Sequence, residues 1–284
     1  MLFRSFRDLK GKRWSGYLSW RKNRSRRYLP SVLELLCEAI KQEEADTILV
    51  TGDLIQIGLD DEVSQARDWL RQLGDPGRVM LVPGNHDIYA NGSEDAVNTA
   101  WGDYMYGDGK PGSTGSSDGF PVLRQRGNLS LIGVTSACVT PVFMATGRVG
   151  DEQLDRLSHM LELAAGEGRT VCLLIHHPPL KDMTSWRKGL MDASGLERVL
   201  EAHPPAMILH GHLHHNREWH WRNSRIFCTA AASSASDASY RVFDIEGVDG
   251  CRRIQMTLKS ICMELEEQPR FVEVDQDCWE VPAS

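Results

Sequence analysis

Short apolar runs that each break into a polar cluster recur along residues 47–215. Thr47–Thr51 ends in Gly52-Asp53, and Arg78–Val82 ends in Pro83-Gly84-Asn85-His86-Asp87. Val171–Ile175 ends in His176-His177-Pro178-Pro179, and Ala206–Leu209 ends in His210-Gly211-His212-Leu213-His214-His215. Apolar runs this short, bounded by Gly and Pro, predict buried strands. The spacing predicts a helix over about 60–73 that stops at Gly74, and Ser31-Val32-Leu33-Glu34 predicts a capping-box start to an earlier helix reaching about Ala45. Alternating helices and buried strands predict an α/β fold, with the polar clusters gathered beyond the C-terminal strand ends, where open sheets hold their ligands. Beyond residue 217 the helical period gives way to β-rich segments near 217–221, 225–229, 240–245 and 252–259, which predict a second sheet.

Composition narrows the class without naming a chemistry. The 284 residues are 41% hydrophobic and 25% charged, with no apolar run of the roughly 18 residues that cross a bilayer. One domain is expected. The first residues are charged throughout and carry no signal-peptide core, and seven scattered cysteines form no C-x-x-C pair, so the expected location is a reducing cytoplasm. Charge is uneven: residues 1–30 hold ten Lys or Arg against Asp8 alone, a net of plus 9 within an overall minus 7. Phe3, Phe6, Trp14, Tyr17, Leu18 and Trp20 interleave with these cations. Two readings stay open for this basic aromatic arm: weak attachment to an anionic membrane on its inner face, or an amphipathic segment that is solvated or docked on the protein. Nucleic acid is not an expected partner. The expected organisation is therefore an arm over 1–30, a domain over 31–260 and an acidic tail over 261–284. Gly107–Gly119, rich in Gly and Ser, predicts a loop, either a lid over a site or a surface insertion.

The chemistry sits in the polar clusters. Asp, Asn and His held at strand ends are the donors a hard or borderline divalent cation requires. Each cluster alone is a weak signal, since Gly-Asp is commonly a turn and Pro-Pro commonly a stop; in order along one chain they form a set. In that order, Gly52-Asp53, Gly84-Asn85-His86-Asp87, His176 and Gly211-His212-Leu213-His214 resemble the calcineurin-like metallophosphoesterases, over roughly residues 47–215. The resemblance implies a two-sheet β-sandwich flanked by helices, with two divalent metal ions such as Mn, Fe, Zn or Co. It implies Asp53 as the bridging ligand, Asn85, His176 and His212 on the second metal, and His214 on the first. His86 would face the substrate phosphate as a catalytic residue, with Asp87 orienting it. His177 is expected to support a ligand, His210 to be a core histidine, and Trp101, Tyr104, Met105 and Tyr106 to pack in the core.

The family pattern begins with Asp-x-His at the end of a first strand. The earliest histidine here is His86, so no such pair precedes Asp53. The expectation is a fold lacking that strand and holding one metal where the family holds two. A start codon placed upstream and a natural loss of the first site are the two explanations, and the persistence of Asn85, His176 and His214 together favours the first. The implied activity is hydrolysis of a small phosphoester, foremost a phosphodiester, by a metal-bound hydroxide; no Gly-x-Ser-x-Gly elbow supports a covalent nucleophile. Two alternatives are a hydrolase of nucleotide-linked lipid pyrophosphates, resembling the UDP-diacylglucosamine hydrolases, and a non-catalytic scaffold on the same fold.

Overall fold

A computed structural model describes residues 9, 11–108, 119–248, 251–263 and 268–282. The Gly-Ser-rich loop expected at 107–119 lies almost wholly outside these residues. Eleven strands and six α-helices follow one another among them. Six strands form the main sheet: β3 (Val122–Arg126), β4 (Leu129–Gly133), β5 (Thr170–Leu174), β6 (Met207–His210), β8 (Ser224–Cys228) and β7 (Arg217–Trp221), in that spatial order. The four central strands, β4, β5, β6 and β8, are parallel, and antiparallel β3 and β7 close the two edges.

The period of two along these strands builds two cores. Cys172 and Leu174 of β5, Met207 and Leu209 of β6, and Phe227 of β8 face one side. Leu173, Ile208 and Ile226 face the other, against Leu157 and Leu161 of α5 (Asp151–Gly166) and Leu196 and Leu200 of α6 (Ala193–Ala202). The first side packs against a second layer made of two pieces. One is the parallel pair β1 (Ile48–Val50) and β2 (Val79–Leu81); the other is the antiparallel meander β9 (Ser239–Val248), β10 (Cys251–Cys262) and β11 (Arg270–Pro282). The family's mixed α/β architecture is thus present, with helices outside two facing layers of strands.

The structure differs from the sequence reading in three places. Strands β7 and β8 extend the main sheet, whereas β9 and β10 belong to the other layer. The acidic tail contributes β11, whose Trp279 packs into the core and whose Asp277 pairs with Arg225 of β8. The first long helix, α2 (Pro30–Gln42), starts with Pro30 at its first position behind Leu29, without a side-chain cap from Ser31. The helix at 60–73 is α3 (Asp60–Leu73), ended by Gly74 as expected. Glu62 reaches back from its first turn to the backbone N–H groups of Ile57 and Leu59 at 3.0 and 3.1 Å.

Between β1 and β9, each an edge of its own sheet, lies a cavity of about 1340 Å³. Its walls include Leu36, Ile48, Leu131, Cys172, Leu209 and Phe243, and at one end it reaches Asp53 and His176.

Candidate metal centre

All four polar clusters lie just past the C-terminal ends of β1, β2, β5 and β6, so the parallel strands deliver them to one rim. The turns that follow are tight enough to demand unusual backbone. Asp53, His212 and His214 all adopt left-handed φ angles, of 62°, 65° and 57°. For residues with a Cβ this conformation costs roughly 1–2 kcal/mol each; strain of this kind concentrates at functional sites. Two glycines make the approach possible. A Cβ on Gly84 would lie 2.2 Å from Asp53 Oδ1 and 2.7 Å from His176 Cε1, and one on Gly52, at φ 88°, would lie 2.4 Å from Gly84 N. The loops after β1 and β2 therefore touch backbone to backbone, and any side chain at these points would push Asp53 and His176 apart.

His176 is the hub. Its Nδ1–H donates to Thr51 O at 2.7 Å, which leaves the Nε2 lone pair pointing inward. Around Nε2 stand Asn85 Oδ1 at 3.2 Å, His212 Nδ1 at 3.2 Å and Asp53 Oδ2 at 3.4 Å. Ligands about 2.1 Å from a tetrahedral cation are ~3.4 Å from one another, so this spacing suits a cation at the centre. Asp53 Oδ1 accepts from His86 N at 2.8 Å, while Asp53 Oδ2 and His212 Nε2 are buried with no hydrogen-bond partner. Four inward acceptors, the orphaned Asp53 Oδ2 among them, fit a bound divalent ion.

Electrostatics agree. Burial opposes ionisation of Asp53, but the neighbouring imidazoles of His176, His86 and His212 hold its carboxyl well below the usual range. In return, Asp53 raises His176 against the effect of burial. Burial keeps His177 and His212 neutral and lowers His214 to about 4 and His210 to about 3. Neutral imidazoles keep their lone pairs free for a cation.

The remaining candidates separate by position. His214 turns Nδ1 to the Tyr28 hydroxyl at 2.7 Å. His86 stacks on Tyr89 and gives its Nδ1–H to Gln56 O at 2.6 Å. The expectation that Asp87 orients His86 is not met, because its carboxylate is turned the other way. Oδ2 accepts from Asp53 N and Gly84 N at 2.8 Å each, and Oδ1 from Leu54 N at 2.8 Å and Ile55 N at 3.3 Å. Asp87 is a clamp that fixes the loop after β1 onto the loop after β2. Burial and the Asp53 charge push its carboxyl up to about 7, opposed by those N–H groups. His177 binds Ser136 Oγ through Nδ1 at 2.8 Å, and one nitrogen of each of His176, His177 and His212 lies within 4.8 Å of the other two. His210 is buried against Trp219. Trp101, Tyr104 and Met105 are core residues, with Trp101 Nε1 donating to Val63 O.

Sequence reasoning did not find Arg24, Tyr28 and Gln56 at this rim. Arg24 Nη1 donates to His86 Nε2 at 2.9 Å and to Gln56 Oε1 at 3.3 Å. Nothing in a run of Arg and Lys marks one member as facing a site.

A protein of a Synechococcus sp. strain named "Probable cyclic nucleotide phosphodiesterase" is 28% identical over 178 residues, covering 62% of this chain and 60% of that protein. The chain thus matches less than two thirds of that relative's length. The crystal structure of a dimetal phosphatase from Danio rerio aligns over 91% of both chains with a TM-score of 0.53 at 14% identity, a likeness of fold. The sequence profile of the calcineurin-like phosphoesterases matches residues 25–216, which span β1, β2, β5, β6 and every cluster described above, and the chain belongs to that family.

Proposed function

We propose that the protein is a metal-dependent phosphoester hydrolase acting on phosphodiesters, with Asp53, Asn85, His176 and His212 holding a divalent ion and His214 at the margin of a second position. The observation that carries this reading is the convergence of Asn85 Oδ1, His212 Nδ1 and Asp53 Oδ2 on His176 Nε2, with the Asp53 oxygen buried and satisfied by no hydrogen bond. A divalent ion bound there would acidify a water and offset phosphoryl charge. The chain's own part is placement and proton handling. Thr51 O sets the His176 tautomer, and Asp87 locks Asp53 in its left-handed turn. With Nδ1 committed to Gln56, Nε2 is the one ring atom of His86 able to exchange a proton with a substrate oxygen. A phosphodiesterase-named relative supports the diester class, and cyclic nucleotides are the first diesters to try.

The test is elemental analysis of purified protein, followed by hydrolysis of bis-p-nitrophenyl phosphate with added Mn. Expected are bound transition metal, lost far more in His212→Ala than in His214→Ala, and turnover that a chelator abolishes. Protein that takes up no metal on reconstitution, or hydrolysis unchanged in Asp53→Ala, refutes the reading; the first result would favour a scaffold.

A further inference from the structure

The basic arm preceding β1 ends on the metal centre. Its helix α1 (Lys12–Ser19) lies flat on the loop that carries His86. Lys12 Nζ sits over the Tyr89 ring, Arg13 Nη2 donates to Gly58 O, and a Cβ on Gly16 would lie 2.3 Å from Tyr89 Oη. Leu9, ahead of the helix, is buried against Ile57, Leu59 and Tyr89. A π-helical turn, Trp20–Arg24, then carries the chain across the rim to Tyr28. These contacts fix where Arg24 stands.

Arg24 is half-buried, and both partners of its Nη1, His86 Nε2 and Gln56 Oε1, are neutral acceptors. Among the described residues it forms no ion pair. A guanidinium turned inward on a site of Asp and His, its charge unmatched by any carboxylate there, has the geometry for a tetrahedral anion. Gln56, which holds the same guanidinium, lines one cavity with Asp53, His212 and His214, so Arg24 stands at the rim of the candidate cation site.

We propose that Arg24 is the phosphoryl-binding cation of this centre: its guanidinium takes a non-bridging oxygen of the substrate phosphate, and until then is held on the His86 imidazole. The proposal rests on the phosphoesterase reading above. It makes the arm part of the active site, supplied by a segment whose sequence shows only positive charge. Phosphate arrival draws Arg24 off His86 Nε2, so one event both anchors the substrate and frees the ring atom that exchanges a proton.

The experiment uses the full chain loaded with Mn and two readouts: inorganic phosphate affinity by calorimetry, and KM and kcat for bis-p-nitrophenyl phosphate. Arg24→Ala is expected to weaken phosphate by about ten- to a hundredfold, the range of one charge-assisted contact, and to raise KM more than it lowers kcat. Arg24→Lys should fall between the two, and added guanidinium at low concentration should partly restore Arg24→Ala. Metal content and thermal midpoint, measured on the same samples, identify a variant that fails by misfolding; Arg24→Lys and Arg24→Gln then carry the comparison. Phosphate affinity equal in wild type and the Arg24 variants at equal metal content overturns the proposal. So does faster turnover in Arg24→Ala, the mark of an inhibitory contact, and so does a wild type that binds no phosphate. A wild type that binds phosphate through Arg24 without hydrolysing any diester leaves this inference standing and removes the catalytic reading instead.

Discussion

Replacing Asp87 with Asn changes one oxygen to an NH₂ in a carboxylate that accepts four backbone N–H groups. Two of these donors point at each oxygen. In either orientation of the amide, one pair keeps an acceptor and the other faces a donor in a fully buried site. A hydrogen bond to a charged group contributes about 1.5–3 kcal/mol, so losing two predicts a cost of about 3–6 kcal/mol. Against a net stability of about 5–15 kcal/mol, that is a large fraction. The loss falls on the turn that holds Asp53 at positive φ, so the variant should also lose metal affinity. The assay is urea denaturation in mildly alkaline buffer, where the carboxyl is ionised, with and without Mn. Wild type should gain about 2.7 kcal/mol at a metal concentration a hundred times Kd, and Asp87→Asn should gain far less. A variant within about 1 kcal/mol of wild type with undiminished metal stabilisation would refute the clamp; surface substitutions fall in that range.

Gly84→Ala should reduce metal uptake at least tenfold while leaving far-ultraviolet circular dichroism unchanged, because its Cβ lands on Asp53 and His176. Glu62 is raised above its ordinary 4.5 by burial, opposed by N–H groups of Ile57 and Leu59. An acid held up in the folded state favours folding below its ordinary value and loses that contribution as pH rises through the raised one. Wild type should therefore lose stability relative to Glu62→Gln as pH climbs above 4.5, measured by thermal unfolding across that window, and a constant difference would count against it. Leu173→Ala, at a fully buried position against α5 and α6, should cost about 2–5 kcal/mol in denaturant without altering metal content.

The candidate ligand positions were legible because each follows an apolar run at once, and a strand end fixes a side chain more firmly than a loop does. Asp53, Asn85, His176 and His212 could be named for that reason. Partnership between strands was not legible. Arg217–Trp221 alternates as a half-exposed strand should, but nothing local says that it pairs with β8 at the edge of the main sheet. The tail was masked by its acids. Asp277 pairs with Arg225, whose guanidinium stacks 3.9 Å from the Trp279 ring, so charge that reads as a solvated tail holds β11 in place. Arg24 was hidden for a related reason: its partners at the rim are a ring nitrogen and an amide oxygen, which leave no complementary charge in the sequence.

The cavity between β1 and β9 sets a limit on how this molecule resists opening. At about 24 cal/mol per Å³, a dry space of 1340 Å³ would cost roughly 30 kcal/mol, more than the whole net stability of a domain. Solvent must therefore reach it, and the backbone amides on the outer edges of β1 and β9 meet water although both strands lie between the helices and the main sheet. In native-state hydrogen exchange these amides should be replaced early, and the slowest should belong to β4, β5, β6 and β8, hydrogen-bonded on both sides within one sheet. The strand that delivers Asp53 then belongs to a part of the protein that breathes ahead of global unfolding, and a cation held by Asp53 and His176 together would slow its exchange by tying β1 to β5.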